Sequence, residues 1–215
     1  MMAAQSDFYT PTGIHVYFKD KIVDDGVDVE SIVSKVESLL PPHLLQELEM
    51  IIVGWFEEFE RRSINAFYDG GTVYVSNVQN NQEDMLDDLI HEIAHSVEQP
   101  YGFKIYADGK LKKEFLRKRV RLHDILWKEG YKIPKAVFLD TEYNKELDMF
   151  FYEDIGYDKL SQFVQGLFIS AYAATSLREY FATGFTSFYI DTDHNFLKLN
   201  GPVLYNKILN LKENN

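Results

Sequence analysis

The stretch NQEDMLDDLIHEIAHSVEQP, residues 81–100, decides the fold. Within it Met85, Leu86, Leu89, Ile90, Ile93, Ala94 and Val97 recur at intervals of three, four and one, the apolar stripe of a helix facing a core. Asn81 suits the N-cap, and Glu83 and Asp84 fall in the first turn, where carboxylates complement the positive end of the helix dipole. Pro100 ends the pattern, so the spacing predicts a helix over 82–99. Asp84, Asp88, His91, His95 and Glu98 share its other face. Histidines four apart are offset by about 40° around a helix, so His91 and His95 project together and can hold one Zn²⁺ through two nitrogens. Glu92, beside the first, lies close enough to take a proton from a metal-bound water. Asp88, one turn earlier, is placed to orient a ligand imidazole.

A hydrolytic zinc site needs a third protein ligand and one open position. The metzincin continuation requires Gly and His at the third and sixth positions after the second histidine; Glu98 and Tyr101 stand there, which excludes that class. His194 and the downstream carboxylates remain. His123 lies in a strongly basic stretch, a poor place to collect a dication, and reads as a surface or core histidine. The best candidate is Glu179, in LREYFATGF (177–185), on the first turn of an apolar helix that includes Tyr180, Phe181, Gly184, Phe185, Phe188 and Tyr189. Ser176-Leu177-Arg178-Glu179 also matches a capping box, in which Glu179 folds back on the Ser176 backbone. Spacing alone leaves both readings open.

Tyr172 through Phe185, taken with His91–His95, resembles the lethal-factor-like zinc metallopeptidases, the group of the anthrax lethal factor catalytic domain and the Pro-Pro endopeptidases. Their pattern is HExxH, then a tyrosine, then seven residues later a glutamate opening a helix of the form E-[FY]-F-A-x-x-F. Tyr172 precedes Glu179 by seven, and EYFATGF (179–185) fits. The tail Asp193-His194-Asn195, Pro202 and an apolar helix near Val203 to Leu211 also resembles the end of that domain. The resemblance implies a gluzincin site: His91, His95 and Glu179 on one zinc, Glu92 as general base and then acid, and Tyr172 donating its phenol to the developing oxyanion. Read without the resemblance, Tyr172 belongs with Phe168, Ile169 and Ala171 on an apolar core face. The chain departs from the family in two places. His95 and Glu179 are 84 positions apart, about twice the compact spacing, which places an insertion within 101–157. Thr183 occupies the position where the family has a second acid.

Bulk properties narrow the rest. A length of 215 residues with 46% hydrophobic content suits one domain spanning 1–215. No apolar run is long enough to cross a membrane, and Met1 to Gly13 has neither the basic nor the apolar region of a secretory signal, so a soluble chain is expected. The absence of cysteine removes disulfides and thiolate ligands, and a net charge of −12 disfavours nucleic acid and membrane partners. Against that balance, Lys110, Lys112, Lys113, Arg117, Lys118, Arg119 and Arg121 cluster on a helix. A solvated face is the default, and an acidic partner the sharper expectation.

Gly13 to Lys19 alternates as a strand, Asp28 to Leu40 is an amphipathic helix stopped by Pro41-Pro42, and Leu48 to Gly54 is a buried strand. Leu40-Pro41-Pro42 reads as a helix start rather than a cleavage site. Ile64 to Tyr68 and Thr72 to Ser76 flank a glycine turn as a hairpin. Its second arm, Thr72 to Ser76, is expected to be the edge strand onto which a peptide substrate adds. Asp191 to Asn195 begins like a calcium loop but lacks its glycine and closing glutamate. The expected architecture is an α+β, zincin-like domain: a small mixed sheet, the HExxH helix, and a mostly helical C-terminal half. The expected activity is zinc-dependent endopeptidase. The rivals are a catalytically inactive zincin-fold binding or structural protein and an acidic scaffold in which HExxH is incidental.

Overall fold

A computed structural model describes residues 6–24 and 26–213. The molecule is mixed α+β and packs as two compact units, one reaching Pro100 and including Lys212, the other Tyr101–Leu211.

The first unit is built on five strands: β1 (Phe8–Tyr9), β2 (His15–Phe18), β3 (Met50–Val53), β4 (Ala66–Asp69) and β5 (Thr72–Val75), in the order β1-β2-β3-β5-β4. The β2–β3 and β3–β5 pairs are parallel; β1–β2 and β4–β5 are antiparallel. Between β2 and β3 runs α1 (Val29–Leu39), where the Asp28 carboxylate accepts from Ser31 N as N-cap. Pro42 opens a 3₁₀ turn, the helix-start role expected of it. Between β3 and β4 lies α2 (Glu57–Arg62). Gly70 and Gly71 have φ of 52° and 86°, the left-handed pair a two-residue hairpin turn requires. Phe67 stacks on its register partner Tyr74, ring centroids 4.5 Å apart.

Two expectations are corrected here. Thr72–Val75 is not an edge: β5 is paired by β3 on one side and β4 on the other, and Val73 and Val75 are fully buried, as suits an interior strand. The edge is the other hairpin arm, β4. Both arms carry apolar residues, so alternation could not say which one lay outside. Nor does Pro100 end the helix, because α3 runs Gln82–Tyr106 with the proline inside it. Proline removes one ladder bond and crowds the preceding turn, about 3 kcal/mol. Ile105 is buried beyond it, Tyr106 packs against Phe181 at 6.2 Å, and Lys207 Nζ donates to the Lys104 carbonyl at 2.6 Å, contacts that offset this cost. At the other end Asn81 caps as expected, accepting from Asp84 N at 2.8 Å.

The second unit is helical: α4 (Lys110–Lys128), α5 (Lys145–Met149), α6 (Tyr157–Phe163), α7 (Leu177–Ile190), α8 (Asn195–Asn200) and α9 (Pro202–Glu213), with a π-turn at Phe150–Ile155. Its core holds Phe115, Phe138, Phe151, Phe168, Phe181 and Phe185. A Cβ on Gly184 would lie 2.3 Å from Leu204 Cδ2, so α7 meets α9 only where a side chain is missing. The basic helix α4 is solvated only in part. Lys110, Lys113, Arg117 and Arg121 are exposed, but Glu114 and Arg119 are buried and Lys118 is half-buried. Glu114 accepts from Val203 N (2.8 Å), Leu204 N (3.1 Å) and Tyr180 OH (3.0 Å), so it caps α9 from another helix. No helix among the described residues is long and apolar enough to cross a membrane.

Candidate metal centre

His91 and His95 lie one turn apart on α3, ring centroids 5.2 Å apart and 77° between planes. Ile93, Ala94 and Val97 are buried, which fixes the rotation of the helix and turns both imidazoles to its other side. One ligand atom from each of His91, His95 and Glu179 lies within 4.8 Å of the other two. Among the described residues this is the one group of three or more His, Asp or Glu side chains so gathered, and all three are partly buried. Two imidazoles and a carboxylate, with no thiolate, form a donor set that could hold a metal ion.

The Nδ1 of His95 lies 3.0 Å from the Glu98 carboxylate, with side chains 11% and 9% exposed. That contact orients the ring, and with the Nδ1 proton given to Glu98 the imidazole would turn its Nε2 lone pair to a metal. The sequence places Glu98 on the face of the two histidines and uses it to exclude the metzincin pattern, without pairing it with His95. Its place three residues after His95, one turn along, was the signal for that pairing. Asp88, the acid expected to support the centre, accepts from Gln79 Nε2 at 3.3 Å. Burial, reinforced by Asp87 and Glu92, raises its pKa to about 6, against the lowering effects of Gln79 and His91.

The Ser176 side of the capping box is present, and the Glu179 carboxylate lies with the two histidines. Ser176 caps α7, its Oγ accepting from Glu179 N at 3.2 Å, while the Glu179 carboxylate joins the two histidines. One residue thus supplies a backbone donor to the cap and a side chain to the triad. Tyr172 begins a 3₁₀ turn and is 41% exposed, so it is not the core residue its apolar neighbours suggest. Phe168 and Ala171 are buried.

The other histidines stay apart from this group. Of the two places expected for His123, surface or core, it takes the core: Nε2 lies 3.1 Å from the Ile133 carbonyl and the ring packs against Phe138. His194 stacks on Phe188 at 4.7 Å. Asp193 makes an ordinary helix-start contact, accepting from Asn195 N at 2.8 Å. No family model matches the chain, and no curated protein or solved structure matches it.

Proposed function

We propose that this chain is a zinc-dependent endopeptidase of the lethal-factor-like type, with a zincin-like arrangement of sheet and HExxH helix. The observation that carries the reading is the gathering of His91 and His95 with Glu179, 84 positions beyond His95, within 4.8 Å. Zinc held there would supply a water of pKa about 7 and a Lewis acid for the substrate carbonyl. Glu92, beside His91 on the same helix, accepts the proton of the attacking water and returns it to the leaving amine. Tyr172, exposed on its 3₁₀ turn, donates its phenol to the oxygen that gains charge as the peptide carbonyl is attacked.

The substrate strand adds to β4. Ser76 N donates to the Asn65 carbonyl at 2.8 Å, so by the antiparallel alternation Asn65, Phe67 and Asp69 spend their backbone groups on β5. Ala66 and Tyr68 then carry theirs on the outer edge, where an extended peptide pairs.

The test is zinc stoichiometry of wild-type and Glu179→Ala protein by elemental mass spectrometry, followed by a peptide library on the loaded protein. One zinc per chain, largely lost in the variant, together with cleavage abolished by Glu92→Ala, supports the reading. Zinc without cleavage of any peptide would leave the inactive zincin-fold protein. A wild type that takes up no zinc sinks the enzyme reading.

A further inference from the structure

Arg119 is 0% exposed, although it belongs to the basic cluster of α4. Its Nη1 donates to the carbonyls of Ala174 (2.7 Å) and Thr175 (3.2 Å), and its Nη2 to those of Val137 (3.2 Å) and Asp140 (3.3 Å). The rings of Phe115 and Phe138 flank the guanidinium, their centroids 5.2 and 5.4 Å from Cζ. Burial lowers its pKa to about 10, which still leaves it charged at neutral pH. A buried cation answered by carbonyl dipoles carries a large desolvation cost, and a methionine would fill similar space without it. What the guanidinium adds is geometry: a planar fork that ties two backbone segments together.

One of those segments lies between Tyr172 and Glu179. The Tyr172 carbonyl accepts from both Thr175 N (3.0 Å) and Thr175 Oγ1 (2.8 Å). Leu177 N donates to the Thr141 carbonyl at 2.8 Å, next to the other clamped segment. Ser176 Oγ then accepts from Glu179 N. The clamped carbonyls are therefore three residues or fewer from Tyr172 and five or fewer from Glu179, with hydrogen bonds leading each way.

We propose that Arg119 is a positioning residue for the candidate metal centre: by holding the Ala174 and Thr175 carbonyls against residues 137–140, it sets from one point both the turn that presents Tyr172 and the first turn of α7 that presents Glu179. What those two side chains do rests on the metallopeptidase reading; the clamp itself does not.

Arg119→Lys keeps the charge but not the fork. Native-state hydrogen exchange of metal-free protein should show the amides of Thr175, Leu177 and Glu179 exchanging ~10-fold faster or more in the variant, with Val36 of α1 and Ile208 of α9 unchanged. Zinc affinity of the same variant should fall ~10-fold. Unchanged amides at 175–179, or loosening shared equally by Ile208, overturns the proposal, because Arg119 would then be core packing alone. If the wild type binds no zinc, the metallopeptidase reading fails, and the exchange pattern still decides the clamp. If Arg119→Lys does not fold, the wild type decides it under low denaturant. The amides of Thr175 and Leu177 must open together with that of Leu122 in α4; opening well before it overturns the proposal.

Discussion

Glu98→Ala separates the support of the metal from the metal ligands. The Glu98–His95 contact is 3.0 Å long, and both side chains are about nine-tenths buried, so water does little to screen it. Carboxylates that orient ligand imidazoles are worth 10–100-fold in metal affinity, which corresponds to about 1.4–2.7 kcal/mol. Glu98→Ala should reach that range, since it removes both the acceptor for Nδ1–H and the charge that raises the basicity of Nε2. Glu98→Gln keeps an acceptor without the charge and should lose roughly half as much free energy, about 0.7–1.4 kcal/mol. Competition titration of zinc against a chromophoric chelator reads both, with Glu179→Ala as the ligand-loss control. The ordering Glu179→Ala, Glu98→Ala, Glu98→Gln, wild type is the expected result. A Glu98→Ala affinity within twofold of wild type, with Glu179→Ala strongly impaired, would show that the contact does not orient His95 for a metal.

Glu92→Gln should retain one zinc and lose roughly 10²–10⁴ of turnover, read on whichever peptide a library yields; loss of metal would mean that Glu92 has been misassigned. Tyr172→Phe should keep fold and metal while turnover drops about 10²-fold, and an unchanged rate would remove the phenol from the chemistry. Gly184→Ala gains about 1 kcal/mol of helix propensity but sets a methyl 2.3 Å from Leu204 Cδ2, so thermal melting should show a net loss of about 1–2 kcal/mol. A higher melting temperature would show that Leu204 swings aside freely. Burial lowers the Lys118 pKa to about 8, with Glu114 acting against it. Between about pH 8 and the unfolded lysine value near 10.5 the unfolded chain holds the extra proton, so stability should rise with pH across that window. Lys118→Met should flatten the rise, measured as the difference between the two melting curves, and parallel curves would contradict the assignment.

Much of the fold was legible because its signals are local. The apolar stripe of residues 85–97, the Asn81 cap and the Gly70-Gly71 turn each specify geometry within a few residues, and each stands where the sequence put it. Pro100 misled because a local rule met a non-local answer: Ile105, Phe181 and Lys207 decide the last turns of α3, and two of them are far along the chain. Strand order failed for a related reason. Alternation in 64–68 and 72–76 fixes a hairpin, but which arm faces β3 depends on the pairing of residues 50–53, and no pattern within the hairpin encodes that. Arg119 was invisible as a clamp because it sits in a run of lysines and arginines, most of them exposed. Only its spacing on the Phe115, Leu122 and Leu126 side of α4 set it apart. At the centre itself the histidine pair followed from helix period, whereas the choice of Glu179 needed the family resemblance to Tyr172 and the E-Y-F-A helix.

Both margins of the sheet are short, two residues in β1 and four in β4. A margin with unpaired backbone groups invites copies of the same chain to pair with it, and long flat ones seed fibrils. Stacked assemblies draw on stretches of six or seven residues, more than either margin offers, and β4 ends in the charged Asp69. The brevity that would limit the proposed substrate strand to the backbone groups of Ala66 and Tyr68 also leaves a second copy of the chain little to pair with at β4.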